Sequence, residues 1–204
     1  SMNEFSSSLN VSGAAIDNLK TYYALLLKWQ RAINLVSPGT VPDAWNRHFV
    51  DSAQILPLIP KHVKTIADLG CGGGFPGLVL AMLEPKFDVH LIESDEKKCQ
   101  FMRTVSRETN TPVTIHCKRI ARAHDDVAPD MVSARALASL TRLLDYCEPW
   151  RQKNTALEYL FLKGARAQEE VGEAQKTYSF SCDFYPSDTD PHAQILHIKD
   201  VHPL

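Results

Sequence analysis

Two acidic side chains and a run of glycines are the residues of this sequence best suited to hold a small charged ligand. Asp68 closes a short apolar run at 65–67, and five glycines follow it within the eight residues 70–77. Glu93 ends a second apolar run. Glycine brings no side chain to a core and loses the most backbone entropy on folding, so the loop predicts a tight turn that a ligand approaches closely. An apolar strand, a glycine turn and an apolar helix together hold nucleotide-type cofactors.

The register of this loop decides between two cofactor classes. Residues 72–77 fit G-x-G-x-x-G, the dinucleotide fingerprint, and Glu93 lies where its ribose-binding acid is expected. In that fingerprint the strand runs directly into the first glycine, whereas here residues 68–71 intervene. A carboxylate at the strand end favours the ammonium and sulfonium groups of S-adenosylmethionine (SAM), and it would repel a pyrophosphate. We therefore expect Asp68 near the methionine end, directly or through water, and Glu93 on the ribose. The alternative is that Asp68 only caps the following helix.

Strand and helix patterns alternate around the loop and predict the sheet that positions it. Strands are predicted at 64–69, 87–93, 112–117, 129–134 and 157–163, and helices at 76–83, 95–109, 137–147 and 165–176. This alternation is typical of an α/β fold with a doubly wound parallel sheet. Two more strands, at 178–185 and 193–200, have no helix between them and predict a terminal hairpin with one antiparallel strand. Two helices, at 13–34 and about 43–55, precede the sheet.

Composition and charge exclude several classes of protein. The five cysteines are an odd number without any CxxC, so neither a disulfide framework nor a zinc knuckle is expected. The eight histidines show no metal-ligand spacing, and no signal peptide or long apolar run is evident. We expect a cytoplasmic, metal-free protein. Residues 97–166 carry 13 Lys and Arg against 7 Asp and Glu, which is either a mixed solvated surface or a flank for a polyanionic substrate.

Several further segments, in the same order along the chain, resemble the GidB/RsmG family of bacterial methyltransferases. They are Trp29 with Asn34-Leu35, Arg47-His48-Phe49-Val50-Asp51-Ser52, the glycine loop with Pro76-Gly77, Glu93-Ser94, Arg119, Ser133-Ala134-Arg135-Ala136 and Leu162-Lys163-Gly164. The resemblance implies a Rossmann-like class I SAM-dependent methyltransferase fold, seven-stranded and mostly parallel, over residues 63–204. An N-terminal helical extension would occupy residues 1–62. The implied activity is methylation of N7 of a guanine in small-subunit (16S) ribosomal RNA, by a monomer that binds this RNA or the small subunit.

The resemblance also implies which residues contact the cofactor. Beside Asp68 and Gly72 of the loop, they are Gly70, Phe75, Glu93, Arg135 and the backbone of Ile120 and Ala121. The family usually has an acid where this chain has Ala121. If that acid binds the adenine amino group through its side chain, this protein lacks the contact, whereas a backbone contact would be retained.

The chemistry of the implied reaction needs alignment more than acid–base groups. Guanine N7 carries a lone pair and no proton, so the catalyst has to bring it in line with the methyl group. Arg135 and Lys163, at neighbouring strand ends, are expected to position the guanine or its phosphates, with surface ion pairs as the alternative. Cys71 is interpreted as a small filler. Arg47, His48 and Asp51 share one helical turn and either tie the N-terminal helices to the sheet or close over a ligand.

Two other functions stay open at this point. An NAD-dependent oxidoreductase would use the fingerprint at 72–77, but Asp68 disfavours a pyrophosphate beside it. A non-catalytic RNA-binding or ribosome-assembly factor on a methyltransferase scaffold is the second, and Ala121 is the only feature that hints at it.

Overall fold

A computed structural model describes residues 10–204 and shows a seven-stranded sheet. The strands are β1 Thr65–Leu69, β2 Asp88–Glu93, β3 Thr114–Cys117, β4 Met131–Arg135, β5 Glu158–Lys163, β6 Tyr178–Pro186 and β7 Gln194–Pro203. Their order is β3-β2-β1-β4-β5-β7-β6, and the first five are mutually parallel. Strand β7 runs antiparallel to both of its neighbours. The predicted α/β fold with an antiparallel terminal hairpin is confirmed, and the strand order reverses between β1 and β4, where ligands bind such sheets.

Seven α-helices lie in the described part of the chain. They are α1 Gly13–Gln30, α2 Asp51–Ala53, α3 Gly77–Leu83, α4 Glu96–Thr109, α5 Leu140–Tyr146, α6 Glu148–Lys153 and α7 Ala167–Ala174. Helix α6 was not expected, and it follows α5 with only Cys147 between them. Pro149 is tolerated there because it lies in the first helical turn, where its missing N–H has no intrahelical partner. Among residues 10–204, no helix is both long and apolar enough to cross a bilayer.

The N-terminal helices differ from the sequence prediction in their bounds. Helix α1 ends at Gln30, four residues before the predicted end. It ends there because the side-chain amide of Gln30 binds the backbone of the segment that follows the helix. Its oxygen accepts hydrogen bonds from the amides of Leu35 and Val36, at 3.0 and 3.1 Å. The helix expected at 43–55 is instead a π-helical turn at Trp45–Val50 followed by the short α2, and a 3-10 turn at Pro38–Asp43 precedes them. Inserted π turns are frequent at functional sites.

Aromatic rings join this N-terminal segment to the glycine loop. Tyr22 of α1 is fully buried and stacks on Phe75 with ring centroids 5.2 Å apart. Phe49 of the π turn meets the edges of both rings, at 4.8 and 5.1 Å. Such aromatic contacts stabilise by about 0.5–1.5 kcal/mol each beyond area burial. The N-terminal segment therefore packs directly against the loop that the sequence identifies as the ligand site.

Candidate functional site

The loop after β1 has a backbone shape that requires glycine. Gly70, Gly72 and Gly74 have φ of 56°, 54° and 101°, in the left-handed region that residues with a Cβ rarely adopt. A Cβ at Gly74 would also lie 2.6 Å from the hydroxyl oxygen of Tyr22. The same hydroxyl donates a hydrogen bond of 2.5 Å to the carbonyl oxygen of Gly73. The loop is thus held from its outer side by the N-terminal segment.

Asp68 lies beneath this loop and lines neither of the cavities beside it. The carboxylate is fully buried and accepts hydrogen bonds from the Gly77 amide and the Ser133 hydroxyl, both at 2.8 Å. Burial raises the pKa of Asp68 to about 7, although these two hydrogen bonds and the nearby Arg135 lower it. The carboxylate is not among the lining residues of either cavity, and its contact with the methionine end, directly or through water, stays a prediction. Asp68 fixes the start of α3 and the end of β4, in agreement with the capping alternative.

One cavity, which we name the β2 cavity, opens on the side of the loop that faces β2 and β3. It has a volume of about 700 Å³, within the range of small-ligand sites. Its lining includes Gly70, Gly72, Glu93, Ile120, Ala121 and Leu137. The Glu93 carboxylate is held by two backbone amides at 2.9 Å, that of Gly72 on one oxygen and that of Asp95 on the other. Each oxygen keeps a further lone pair with which to accept a hydrogen bond from a ligand.

A second cavity, which we name the β4 cleft, lies on the other side of the loop and has a volume of about 490 Å³. Four separate parts of the chain line it. They are the N-terminal segment with Arg47, His48, Asp51 and Gln54, the glycine loop with Phe75, the ends of β4 and β5 with Arg135 and Lys163, and the β6–β7 hairpin with Ser187 and Thr189 of its turn and Gln194 of β7. The two cavities share Gly70, Gly72 and Lys98 as lining residues, so they meet at the loop.

Arg135 is the central charged group of the β4 cleft. Its Nη2 donates to His48 Nδ1 at 2.8 Å, and its Nη1 donates to Asp51 Oδ2 at 3.3 Å and to the Arg47 carbonyl at 3.1 Å. The guanidinium carbon also lies 5.2 Å from the centre of the Phe75 ring, a cation–π contact. Arg135 thus ties the N-terminal segment to the sheet, as one of the two interpretations of the 47–51 turn expected, and it still faces the cleft.

The hydrogen bond from Arg135 fixes the proton position on His48. A guanidinium only donates, so His48 Nδ1 has to accept, and its Nε2–H then donates to Thr40 Oγ1 at 2.7 Å. Burial, with the charges of Arg135 and Arg47, lowers the pKa of His48 to about 3. The imidazole is therefore neutral at physiological pH, and its accepting nitrogen is already occupied.

Lys163 lies at the end of β5, as predicted, but its ammonium group does not point into solvent. The side chain is 4% exposed, and Nζ donates to the Ala138 carbonyl at 2.5 Å and forms an ion pair with Glu170 at 3.0 Å. Protein partners thus take two of the three ammonium donors, and the phosphate contact of Lys163 stays a prediction.

The other predicted residues lie on different sides of the loop, and Phe75 and Arg135, both expected to contact the cofactor, line the β4 cleft and not the β2 cavity. Ile120 and Ala121 form a 3-10 turn on the wall of the β2 cavity, where Ala121 is exposed. Phe75 is buried beneath Arg135 and lines the β4 cleft. Cys71 is buried with its Sγ 3.6 Å from the Met102 sulfur, and burial raises the pKa of its thiol, in keeping with a filler role.

Sequence reasoning missed the polar contacts that attach the β6–β7 turn to the cleft. Thr189 Oγ1 donates to Asp51 Oδ1 at 2.6 Å, and Gln54 Nε2 donates to the same oxygen at 3.0 Å and to Ser187 Oγ at 3.2 Å. Asp51 and Thr189 are 138 residues apart in the chain. Short polar turns carry no local signal of a distant partner, so the sequence pointed to Asp51 but not to Gln54, Ser187 or Thr189.

Comparison with known proteins gives consistent matches over most of the chain. A family described as rRNA small subunit methyltransferase G matches residues 15–194. The Ribosomal RNA small subunit methyltransferase G of Parvibaculum lavamentivorans is 47% identical over 202 residues, covering 97% of this chain and 88% of that protein. The protein of the same name from Paramagnetospirillum magneticum is 47% identical over 194 residues, covering 94% and 91%.

Solved structures of methyltransferases share the fold. The ribosomal protein L11 methylase of Lactobacillus delbrueckii subsp. bulgaricus has a TM-score of 0.57 and 16% identity, covering 74% of this chain and 77% of its own. Precorrin-6y C5,15-methyltransferase from Geobacter metallireducens has a TM-score of 0.54 and 14% identity, covering 82% and 91%. At such low identity these matches bear on the fold alone.

Proposed function

Since the chain belongs to the rRNA small subunit methyltransferase G family, we propose that it methylates N7 of a guanine in small-subunit ribosomal RNA, with SAM as the methyl donor. The observation that carries this proposal is the meeting of the two cavities at Gly70 and Gly72. A cofactor in the β2 cavity then reaches, across the loop, a base held in the β4 cleft. Family membership disfavours the NAD-dependent oxidoreductase considered from the sequence.

The β2 cavity suits the nucleoside part of SAM. Glu93 accepts hydrogen bonds from the ribose hydroxyls, for which its carboxylate is oriented by the amides of Gly72 and Asp95. The exposed turn at Ile120 and Ala121 offers backbone groups to the adenine, so the missing acidic side chain at Ala121 does not remove them. When bound, the cofactor supplies a methyl group activated by its positive sulfur.

The β4 cleft suits an attack by a nitrogen that carries no proton. His48 is neutral with both ring nitrogens engaged, Asp68 is enclosed and Cys71 is buried. None of these three groups is placed to remove a proton from a substrate. The carboxylates of Asp51 and Asp190 also line the cleft, but N7 of guanine has no proton for them to remove. The cleft therefore acts by orientation, with Arg135 supplying positive charge for the guanine O6 or a phosphate. A base reaches this cleft only when it is unstacked.

The test is methyl transfer from labelled SAM to small subunits isolated from a strain that lacks the gene. We expect label in 7-methylguanosine after digestion of the RNA to nucleosides. Label in any other nucleoside refutes the N7 assignment, and calorimetric binding of SAM without any transfer favours the assembly-factor alternative.

Sedimentation of the free protein tests the proposed monomer, and fractionation of cells tests the cytoplasmic location.

A substitution of Arg135 tests the proposed role of this residue in the same assay. We expect Arg135→Ala to reduce methyl transfer by about 100-fold, because a charge-assisted hydrogen bond contributes about 1.5–3 kcal/mol. Arg166→Ala is the matched control, since Arg166 is exposed and pairs only with Glu169 on the surface among the contacts described. Retained turnover in Arg135→Ala, with its fold verified by circular dichroism, would contradict the role.

A further inference from the structure

We propose that Lys163 and Glu170 are positioning residues that clamp the turn at 136–139 between the two cavities. This inference rests on the proposed function, because it assigns a task to that same site. It replaces the phosphate contact expected of Lys163 with an action through the protein. The specificity of the site for a correctly placed base would then depend on a pair of residues that touch neither cofactor nor RNA.

The clamp holds the turn at two backbone groups, one on each side of Ser139. Lys163 Nζ binds the carbonyl of Ala138 at 2.5 Å and Glu170 Oε1 at 3.0 Å. The same Glu170 oxygen accepts the amide of Leu140, the first residue of α5, at 2.8 Å. The backbone is therefore hydrogen-bonded on both sides of Ser139, at the Ala138 carbonyl and at the Leu140 amide. Because the Lys163 side chain is 4% exposed, removal of the Glu170 charge leaves the ammonium poorly solvated.

The clamped turn has a conformation that needs such support. Ala136 has a φ of 50°, in the left-handed region, which costs of order 1 kcal/mol for a residue with a Cβ. A strained residue of this kind persists where the surrounding contacts determine it. Here Arg135 precedes it, anchored to the N-terminal segment, and the clamp follows it.

The turn lies at the place where the two cavities meet. Leu137 is 39% exposed and lines the β2 cavity, whereas Ala136 lines the β4 cleft. The Leu137 side chain rests on Gly70, since a Cβ at Gly70 would lie 2.4 Å from Leu137 Cδ1. The turn thus forms the wall between cofactor and base, and its position sets how closely the two approach.

The clamp and a direct RNA contact predict different behaviour for one pair of variants. If Lys163 binds a phosphate, Lys163→Met weakens RNA binding and lowers its salt slope by about 1, and Glu170→Ala does neither. If the pair is a clamp, both variants are impaired, and the double variant is less impaired than the sum of the two single defects because the ion pair is shared. The defect then falls on kcat, because the turn aligns the reactants after binding.

The experiment measures kcat and KM for small subunits, at several salt concentrations, with Lys163→Met, Glu170→Ala and the double variant. We expect kcat to fall about tenfold in all three, with the salt dependence of KM unchanged. Hydrogen exchange of the Leu140 amide should become faster in Glu170→Ala. Lys176→Met and Glu173→Ala are the matched controls, because that Lys–Glu pair is exposed at 3.0 Å on the surface. They should leave every readout unchanged.

Two outcomes would overturn the clamp. One is a normal kcat in Glu170→Ala, and the other is a loss of salt dependence confined to Lys163→Met. If Lys163→Met does not fold, a comparison of Glu170→Gln with Glu170→Ala still tests the clamp. Gln keeps an acceptor for the Leu140 amide, so kcat should be higher in Glu170→Gln than in Glu170→Ala. If the wild-type protein transfers no methyl group, the proposed function fails, whereas Leu140 exchange still reports on the clamp.

Discussion

The β2 cavity and the β4 cleft flank the same glycine loop but are built in different ways. The β2 cavity is lined largely by residues at the ends of neighbouring strands and by the turns that follow them, such as Glu93 and Ile120. The β4 cleft draws on both ends of the chain. Its contacts join residues 87 and 138 positions apart, Arg135 with His48 and Thr189 with Asp51.

This difference has a consequence for how each cavity responds to change. A cavity formed by one parallel sheet keeps its shape as long as the sheet folds, because the strand ends are fixed by the ladder of hydrogen bonds. A cleft formed by docked segments depends also on the contacts between those segments. The β4 cleft should therefore be the more sensitive to substitutions in the N-terminal segment and the hairpin turn.

The largest expected effect is on the loop that the two cavities share. Gly74→Ala should destabilise the protein by about 3 kcal/mol, since φ is 101° and the new Cβ would clash with the Tyr22 hydroxyl at 2.6 Å. Urea unfolding measures the change. Gly172→Ala, in the middle of α7 with open space around it, is the control and should gain about 0.5–1 kcal/mol. Equal stability of the two variants would mean that the loop is not held by the N-terminal segment.

The next effect separates the two cavities directly. Glu93→Gln should weaken SAM binding by about 10–100-fold, because one of the two anchoring amides loses its acceptor and the ribose loses a charged one. Asp51→Asn, at the centre of the β4 cleft contacts, is the paired variant and should leave SAM affinity within about twofold. Calorimetric titration checks both, and a strong loss in Asp51→Asn would show that the cavities are not independent.

The smallest effect concerns two buried groups with opposite pH dependence. The pKa of Asp68 is raised to about 7, so the folded state keeps a proton that the unfolded state releases, and stability falls as pH rises from about 4 to 7. The pKa of His48 is lowered to about 3, so stability rises with pH between about 3 and 6.5. The two dependences oppose each other in the wild-type protein.

Substitution should reveal each dependence separately. Between about pH 4.5 and 6.5, the free energy of unfolding should rise with pH more steeply in Asp68→Asn than in the wild type. In His48→Gln it should fall instead. Urea unfolding at several pH values measures these slopes, with the exposed His192→Gln as control. Unchanged slopes in both variants would show that neither group titrates as its burial implies.

Much of the fold and one of the two cavities could be predicted from the sequence. The alternation of strand and helix patterns predicted the sheet, because hydrophobic periodicity is a property of residues close together in the sequence. The glycines and Glu93 indicated the β2 cavity for the same reason. The sequence did not predict the early end of helix α1 at Gln30 or the contacts of Asp68 with Gly77 and Ser133. Both features depend on partners that only folding brings together.

The sequence by itself determined the glycine loop, the acidic end of β2 and the strand ends that carry Arg135 and Lys163, because each is set by local backbone geometry and hydrophobic period. Tertiary structure alone decided what these side chains contact. It turned Lys163 toward Glu170 and the Ala138 carbonyl, and it joined Arg135 to His48 and Asp51. The physical reason is that a charged side chain binds whichever partners packing places within its reach, and those partners lie on other elements of the fold.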